Sequence, residues 1–178
     1  MIGSAKLKFL LKMTFALMSA MVVLAVIVLL VVIPYEVKHQ NMDTTLQPHD
    51  RLLVNKLAPR FNGIHHQDIV VYRVDQQYRV GRVIGEPGQS VEFQNGDLYL
   101  DHTPVKESYV HQQDHKSWSL KSLPNSESDI IPPNTYLILN DQRDDGADSR
   151  TFGLIKKSNI EGKLWLRYYP FDRITTHF

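Results

Sequence analysis

From Phe15 to Ile33 the chain carries no charge and a single hydroxyl, Ser19, and this is the longest uninterrupted apolar stretch it contains. Nineteen helical residues at about 1.5 Å each reach about 28 Å, which matches the roughly 30 Å hydrocarbon core of a bilayer. The stretch predicts a membrane-crossing helix. A cleaved signal peptide would have an apolar region of only about 7 to 15 residues, ending at a small-residue cleavage site. Val31-Val32-Ile33-Pro34 offers no such site, so the helix is read as an uncleaved signal anchor.

Beyond Pro34 the pattern changes period. Short β-branched or aromatic runs occur at Arg51 to Lys56, Ile69 to Tyr72, Tyr78 to Ile84, Val91 to Gln94, Asp97 to Leu100, Thr135 to Leu139 and Leu164 to Tyr169. Turn-forming residues bracket them: Asn62-Gly63, Glu86-Pro87-Gly88, Asn95-Gly96, Pro132-Pro133-Asn134 and Glu161-Gly162. Such spacing predicts strands, not helices, and a mostly β domain of the barrel or sandwich kind. Asn95-Gly96 is the strongest hairpin signal, since both positions of a tight hairpin turn require positive φ. The serine-rich stretch from Ser108 to Asp129 reads as a surface loop. No internal repeat is present, so the expected organisation is residues 1–14 in the cytoplasm, 15–33 in the membrane and 34–178 as one outer β domain.

Charge sets the orientation. Lys6, Lys8 and Lys12 precede the span with no acidic residue, whereas Glu36 and Lys38 offset each other after it, so the N-terminus is expected to stay inside. Of twenty basic residues, seventeen remain once those three lysines are set aside; against nineteen acidic residues the outer domain carries a balance of −2. Nucleic acid is excluded as an expected partner, and membrane lipid is the first expected one. There is no cysteine, which removes disulfides and thiol catalysis from consideration.

Three stretches carry the chemistry. Arg79-Val80-Gly81-Arg82-Val83-Ile84-Gly85-Glu86-Pro87-Gly88 resembles the general-base strand of type I (leader) signal peptidases, Lys-Arg-Val-Ile-Gly-x-Pro-Gly, with Gly81 at the place of the lysine. Asn41-Met42-Asp43-Thr44-Thr45-Leu46 resembles the nucleophile box Ser-Met-x-Pro-Thr-Leu, with Asn41 at the place of the serine. Asn140-Asp141-Gln142-Arg143-Asp144-Asp145-Gly146-Ala147-Asp148-Ser149-Arg150 resembles Gly-Asp-Asn-x-x-x-Ser-x-Asp-Ser-Arg, with Gly146 at the place of the serine that holds the lysine. Two further boxes, Asp50-Arg51-Leu52-Leu53-Val54-Asn55-Lys56 and Gln67-Asp68-Ile69-Val70-Val71-Tyr72, recur in the family's order. The likeness therefore spans nearly the whole chain. The forty-residue step from Asn41 to Gly81 suits the small, single-anchor, staphylococcal-like members of Gram-positive bacteria.

What the resemblance implies is a β domain of coiled sheets, facing outward, in which a serine is activated by a neutral lysine. A serine hydroxyl is a weak nucleophile until a base removes its proton. A lysine serves as that base only when burial lowers its pKa by about 3 to 5 units from about 10.4. Asn41 has no nucleophilic lone pair and Gly81 has no side chain. The expectation is a catalytically inactive homologue of signal peptidase I that keeps a scaffold: Arg82 paired with Asp141, Asp148 with Arg150, and Met42 either dipping toward the membrane, lining a peptide groove or filling a gap in packing. Implied partners are secretory precursors or their signal peptides, and an active signal peptidase. No cofactor and no metal is expected. The alternative is residual endopeptidase activity through substitute residues.

Three rival signals are weaker. His65-His66 and His111 with His115 invite a metal, but adjacent histidines do not easily share one ion and no His-Glu-x-x-His motif exists. Ser149 would need a histidine brought from elsewhere to serve as a nucleophile. Thr44 or Thr45 would need a base that the sequence does not offer.

Overall fold

The computed structural model describes residues 3–61, 63–110 and 115–178, so Asn62 of one expected turn and His111 of the histidine pair lie outside the described residues. The N-terminal helix α1 runs from Ser4 to Val31, and the part long and apolar enough to cross a membrane is Lys6–Val31. It starts earlier than the uncharged stretch and stops two residues short of Ile33. The reason lies at its end. Val32 and Ile33 are β-branched and precede Pro34, a combination that disfavours helical backbone. They open strand β1, Val32–Glu36, instead.

Among the described residues eleven strands follow, all pairing antiparallel. After β1 come β2 (Arg51–Asn55), β3 (Ile69–Val74), β4 (Gln77–Gly85), β5 (Val91–Gln94), β6 (Asp97–Leu100), β7 (Thr103–Val105), β8 (Trp118–Ser119), β9 (Thr135–Leu139), β10 (Ile155–Lys156) and β11 (Ile160–Tyr169); a one-turn helix α2, Ser149–Phe152, precedes β10. One sheet has the order β1-β2-β11-β3-β4-β9-β10 and a smaller one β7-β6-β5-β8. The expected mostly β domain is what forms. β1 lies at an edge, the place where Pro34, lacking an N–H, costs the ladder least.

β3 is buried on both faces, with Ile69 and Val71 in one apolar layer and Val70 and Tyr72 in the other. A third apolar cluster joins Val91, Phe93, Leu98 and Leu100 of the small sheet to Ile84, Leu137 and Leu139 of the large one, so the two sheets share a core.

Asn95 and Gly96 have φ of 52° and 93° and close the β5–β6 hairpin, as their types demand. Two more two-residue turns have positive φ without a glycine, Asp75-Gln76 between β3 and β4 and Asp101-His102 between β6 and β7. Glu161-Gly162, expected as a turn, lies inside β11. A Cβ on Gly162 would come within 2.5 Å of the Asn55 carbonyl oxygen, so the glycine answers a close approach of β2, beside a register shift of β11 against β3. The Ser108–Asp129 stretch is also not wholly loop. Trp118 stacks on Phe93 with ring centroids 4.5 Å apart, and Leu120 and Leu123 are buried, so its few apolar residues draw it onto the small sheet.

Candidate functional site

Asn41 and Met42 sit in a single turn of chain after β1, held by hydrogen bonds from Asp43 N to Gln40 O and from Leu46 N to Met42 O. That turn lies against the middle of β4 and the end of β9. Asn41 is buried; its Nδ2 donates to the carbonyl of Val80 at 3.0 Å and to Oδ1 of Asn140 at 3.0 Å. The carboxamide is thus tied to the residue immediately before Gly81 and to the residue immediately before Asp141. Its own Oδ1 is buried with no partner.

Gly81 is buried in β4, opposite Val70 of β3. A Cβ built there would lie 2.7 Å from Cγ2 of Ile138, 3.3 Å from the Leu139 carbonyl and 3.3 Å from the Tyr72 ring. The space a side chain would need is filled by a fully buried β-branched residue and a buried phenol. Gly146 differs. It is exposed, a Cβ there would meet only Thr151 Oγ1 at 3.6 Å, and its carbonyl accepts a hydrogen bond from that hydroxyl.

Around these positions runs a charge network shielded from solvent. Arg82 grips Asp141 with Nε to Oδ1 at 2.8 Å and Nη2 to Oδ2 at 2.6 Å, both residues almost fully buried. Arg82 also donates to the Gln67 carbonyl at 3.0 Å and lies 4.1 Å from the Tyr109 ring centroid. Tyr109 donates to Glu107, which pairs with Arg143. Asp148 caps α2 by accepting from Arg150 N, takes Asn140 N at 3.0 Å, and pairs with the Arg150 guanidinium at 2.9 and 2.7 Å. Burial first, and then the Glu107 carboxylate, push the Tyr109 phenol well above its ordinary pKa. Burial does the same to Tyr72, whose hydroxyl has no partner.

Met42 is fully buried among Val37, Leu46, Leu52 and Val54, and its Sδ accepts from Asp141 N at 3.4 Å. Of the three roles considered, this sealed position is that of a residue filling a gap in packing. The rival nucleophiles are occupied. Thr45 Oγ1 donates to Asp141 at 2.6 Å and accepts from Arg82, and Ser149 Oγ, fully buried, accepts from Ile138 N at 3.0 Å. Thr44 is exposed and donates to the Tyr109 carbonyl at 3.4 Å. His66 Nδ1 is bound by the Ile84 carbonyl and His65 Nδ1 lies 3.5 Å from Glu86. Among the described residues no three histidine or acidic side chains converge on a point that would suit a metal ion.

An open cavity of about 220 Å³ borders Asn41, lined by Tyr35, His39, Arg79, Val80, Asp145 and Ala147. Arg79 stacks on Phe152 with 4.6 Å to the ring centroid, and its Nε is buried without a partner. Tyr35, His39 and Arg79 escaped the sequence reading. Only Arg79 carried a signal, as the residue two before Gly81. The cavity holds no lysine and its only hydroxyl is the Tyr35 phenol, whose pKa burial raises.

A membrane-crossing helix leading into a coiled β domain, with a turn of chain pressed against the middle strands and a buried Arg–Asp clasp beside it, defines the class: a membrane-anchored protein built on a peptidase scaffold. The model of the family described as "Signal peptidase, peptidase S26" matches residues 10–169. The chain belongs to that family. Similar relatives include inactive signal peptidase IA of Staphylococcus aureus strain COL, 38% identical over 94% of this chain and 96% of that one. Signal peptidase IB of Staphylococcus aureus strain Mu50 / ATCC 700699 is 34% identical over 96% of this chain and 95% of that one. Among solved structures, a signal peptidase I from Enterococcus faecalis V583 superposes with a TM-score of 0.52 at 28% identity, covering 56% of this chain and 95% of that chain.

Proposed function

We propose that this protein is a catalytically inactive signal peptidase I homologue, anchored with its β domain outside the membrane, that holds extended peptide segments of secretory precursors without cutting them. The observation that carries this reading is the state of two positions. Asn41 stands where a nucleophilic serine is needed and commits its amide to Val80 and Asn140. Gly81 stands where the base is needed, and its would-be side-chain space belongs to Ile138 and Tyr72. In serine proteases, loss of nucleophile or base alone costs about 10⁶ in turnover. The relatives named inactive, at 38% identity over nearly full length, support the same conclusion.

Retention of peptide is supported by the cavity beside Asn41. A buried acceptor, Asn41 Oδ1, and a buried donor, Arg79 Nε, both lack partners. Leaving such groups unmade costs about 1 to 3 kcal/mol each, and the N–H and C=O of an extended main chain would satisfy them. A precursor so held is suited to transfer to an active signal peptidase nearby. The test uses membrane vesicles containing the full chain with a radiolabelled precursor and a photo-crosslinking signal peptide. Crosslinking without cleavage is expected; cleavage abolished by a serine-type acylating inhibitor would overturn the reading.

A further inference from the structure

A larger cleft, of about 600 Å³ and sharing no lining residue with the cavity beside Asn41, is lined by Lys56, Arg60, Lys156 and Lys157 together with Pro59, Pro133 and Glu161. Its size falls within the range of small-ligand sites, about 300 to 1,000 Å³. Three separated pieces of chain build it: the segment after β2, the turn before β9, and the junction of β10 with β11. The last two are tied together, since Lys157 N donates to the carbonyl of Asn134, which holds a φ of 59°.

Two observations point to the ligand. The first is charge. The outer domain balances at −2, yet Lys56, Arg60 and Lys156 meet in this cleft, where the carboxylate among the described lining residues is Glu161, which already lies 3.7 Å from Arg73. Lys56, Arg60 and Lys156 have no carboxylate partner among the described residues. The second is position. Lys56 N donates to the carbonyl of Val31, the last residue of α1, and Asn55 pairs with Val32, so the cleft opens where the chain leaves the membrane helix. Where a chain leaves a bilayer, lipid phosphates are the anions that basic residues commonly meet.

We propose that this cleft binds the phosphate headgroup of an anionic phospholipid and so fixes how the β domain sits on the bilayer. The inference rests on the chain being membrane-anchored and not on the loss of catalysis. Each basic residue near an anionic membrane surface contributes about a fivefold preference. Neutralising three should therefore lower selective retention of anionic lipid by at least about tenfold.

The experiment reconstitutes the full chain in nanodiscs of phosphatidylcholine with phosphatidylglycerol, and reads lipid retained on the detergent-released protein by native mass spectrometry. Wild type is expected to retain phosphatidylglycerol preferentially. Lys56→Gln/Arg60→Gln/Lys156→Gln is expected to lose that preference, while Lys106→Gln/Lys116→Gln/Lys121→Gln, which removes the same charge elsewhere, keeps it. Equal retention of the two lipids by wild type, or equal loss in both triple variants, overturns the proposal. Release of the lipid by millimolar inorganic phosphate would assign the cleft to free phosphate and overturn it equally. Because the readout is bound lipid, it stays separate from any result on precursor cleavage.

Discussion

Arg82 and Asp141 meet as a two-pronged ion pair at 2.8 and 2.6 Å, and neither residue reaches solvent. The pair joins β4 to the end of β9, beside the Asn41 turn. With both charges out of solvent, the pair is part of what holds these strands together. Breaking a buried pair by removing one partner costs about 3 to 5 kcal/mol, because the other charge is left stranded. Asp141→Ala should therefore lower the unfolding free energy of the detergent-solubilised protein by about that amount. A loss under about 1 kcal/mol would show the clasp to be dispensable.

Restoring the missing groups should not restore an enzyme. A side chain at Gly81 must displace Ile138 Cγ2, 2.7 Å from its Cβ, in a fully buried layer. Overpacking of this kind costs about 1 to 3 kcal/mol. Asn41→Ser/Gly81→Lys/Gly146→Ser is expected to be destabilised and to leave a secretory precursor intact in a gel-shift assay. Adding Ile138→Ala should recover part of the stability by opening the layer. Wild-type stability together with cleavage in the triple variant would show that the site was only emptied, not filled.

Alkaline pH should unfold the protein early. Burial raises the pKa of Tyr72, so above the ordinary tyrosine value of about 10 the unfolded chain gives up that proton while the folded one keeps it. The folded state then binds more protons, and stability falls as pH rises, by up to about 1.4 kcal/mol per pH unit for each such tyrosine. Tyr109 acts in the same direction. Since the Tyr72 hydroxyl has no partner, Tyr72→Phe should hold wild-type stability near pH 7 and flatten the decline. Melting curves across the alkaline range check both halves; an unchanged slope in the variant would remove Tyr72 from the account.

Asp50 anchors the C-terminal segment. Its buried carboxylate receives Arg167 Nη1 at 3.2 Å and Arg173 Nη2 at 2.9 Å, and Arg167 also binds the Thr45 carbonyl at 2.9 Å, linking the tail to the Asn41 turn. Asp50→Asn keeps the shape and removes the charge. It should raise hydrogen exchange in residues 167–175 first, with the Asn41 turn following, and cost about 1 to 3 kcal/mol. Uniform exchange across the domain would instead indicate global loosening.

Much of this protein was readable from its residues alone, and the physical reason is locality. An uncharged apolar run needs only length to span a bilayer, Asn95-Gly96 needs only its own φ preferences to turn, and strands such as Val91–Gln94, Asp97–Leu100 and Thr135–Leu139 follow from β-branched or aromatic runs between breakers. The family likeness, and the motif positions that Asn41, Gly81 and Gly146 occupy in that resemblance, are likewise properties of the linear order. What tertiary structure decided concerns partners remote in sequence. That Gly162 marks a close strand crossing and not a turn, that Trp118 and Leu120 leave a polar stretch to pack on the small sheet, and that Met42 is sealed in the core depend on residues tens of positions away. So does the filling of the space beside Gly81 by Ile138, and the gathering of Lys56, Arg60 and Lys156 at the foot of the membrane helix. Composition can announce that a side chain is missing; only packing determines whether the room it needed still exists.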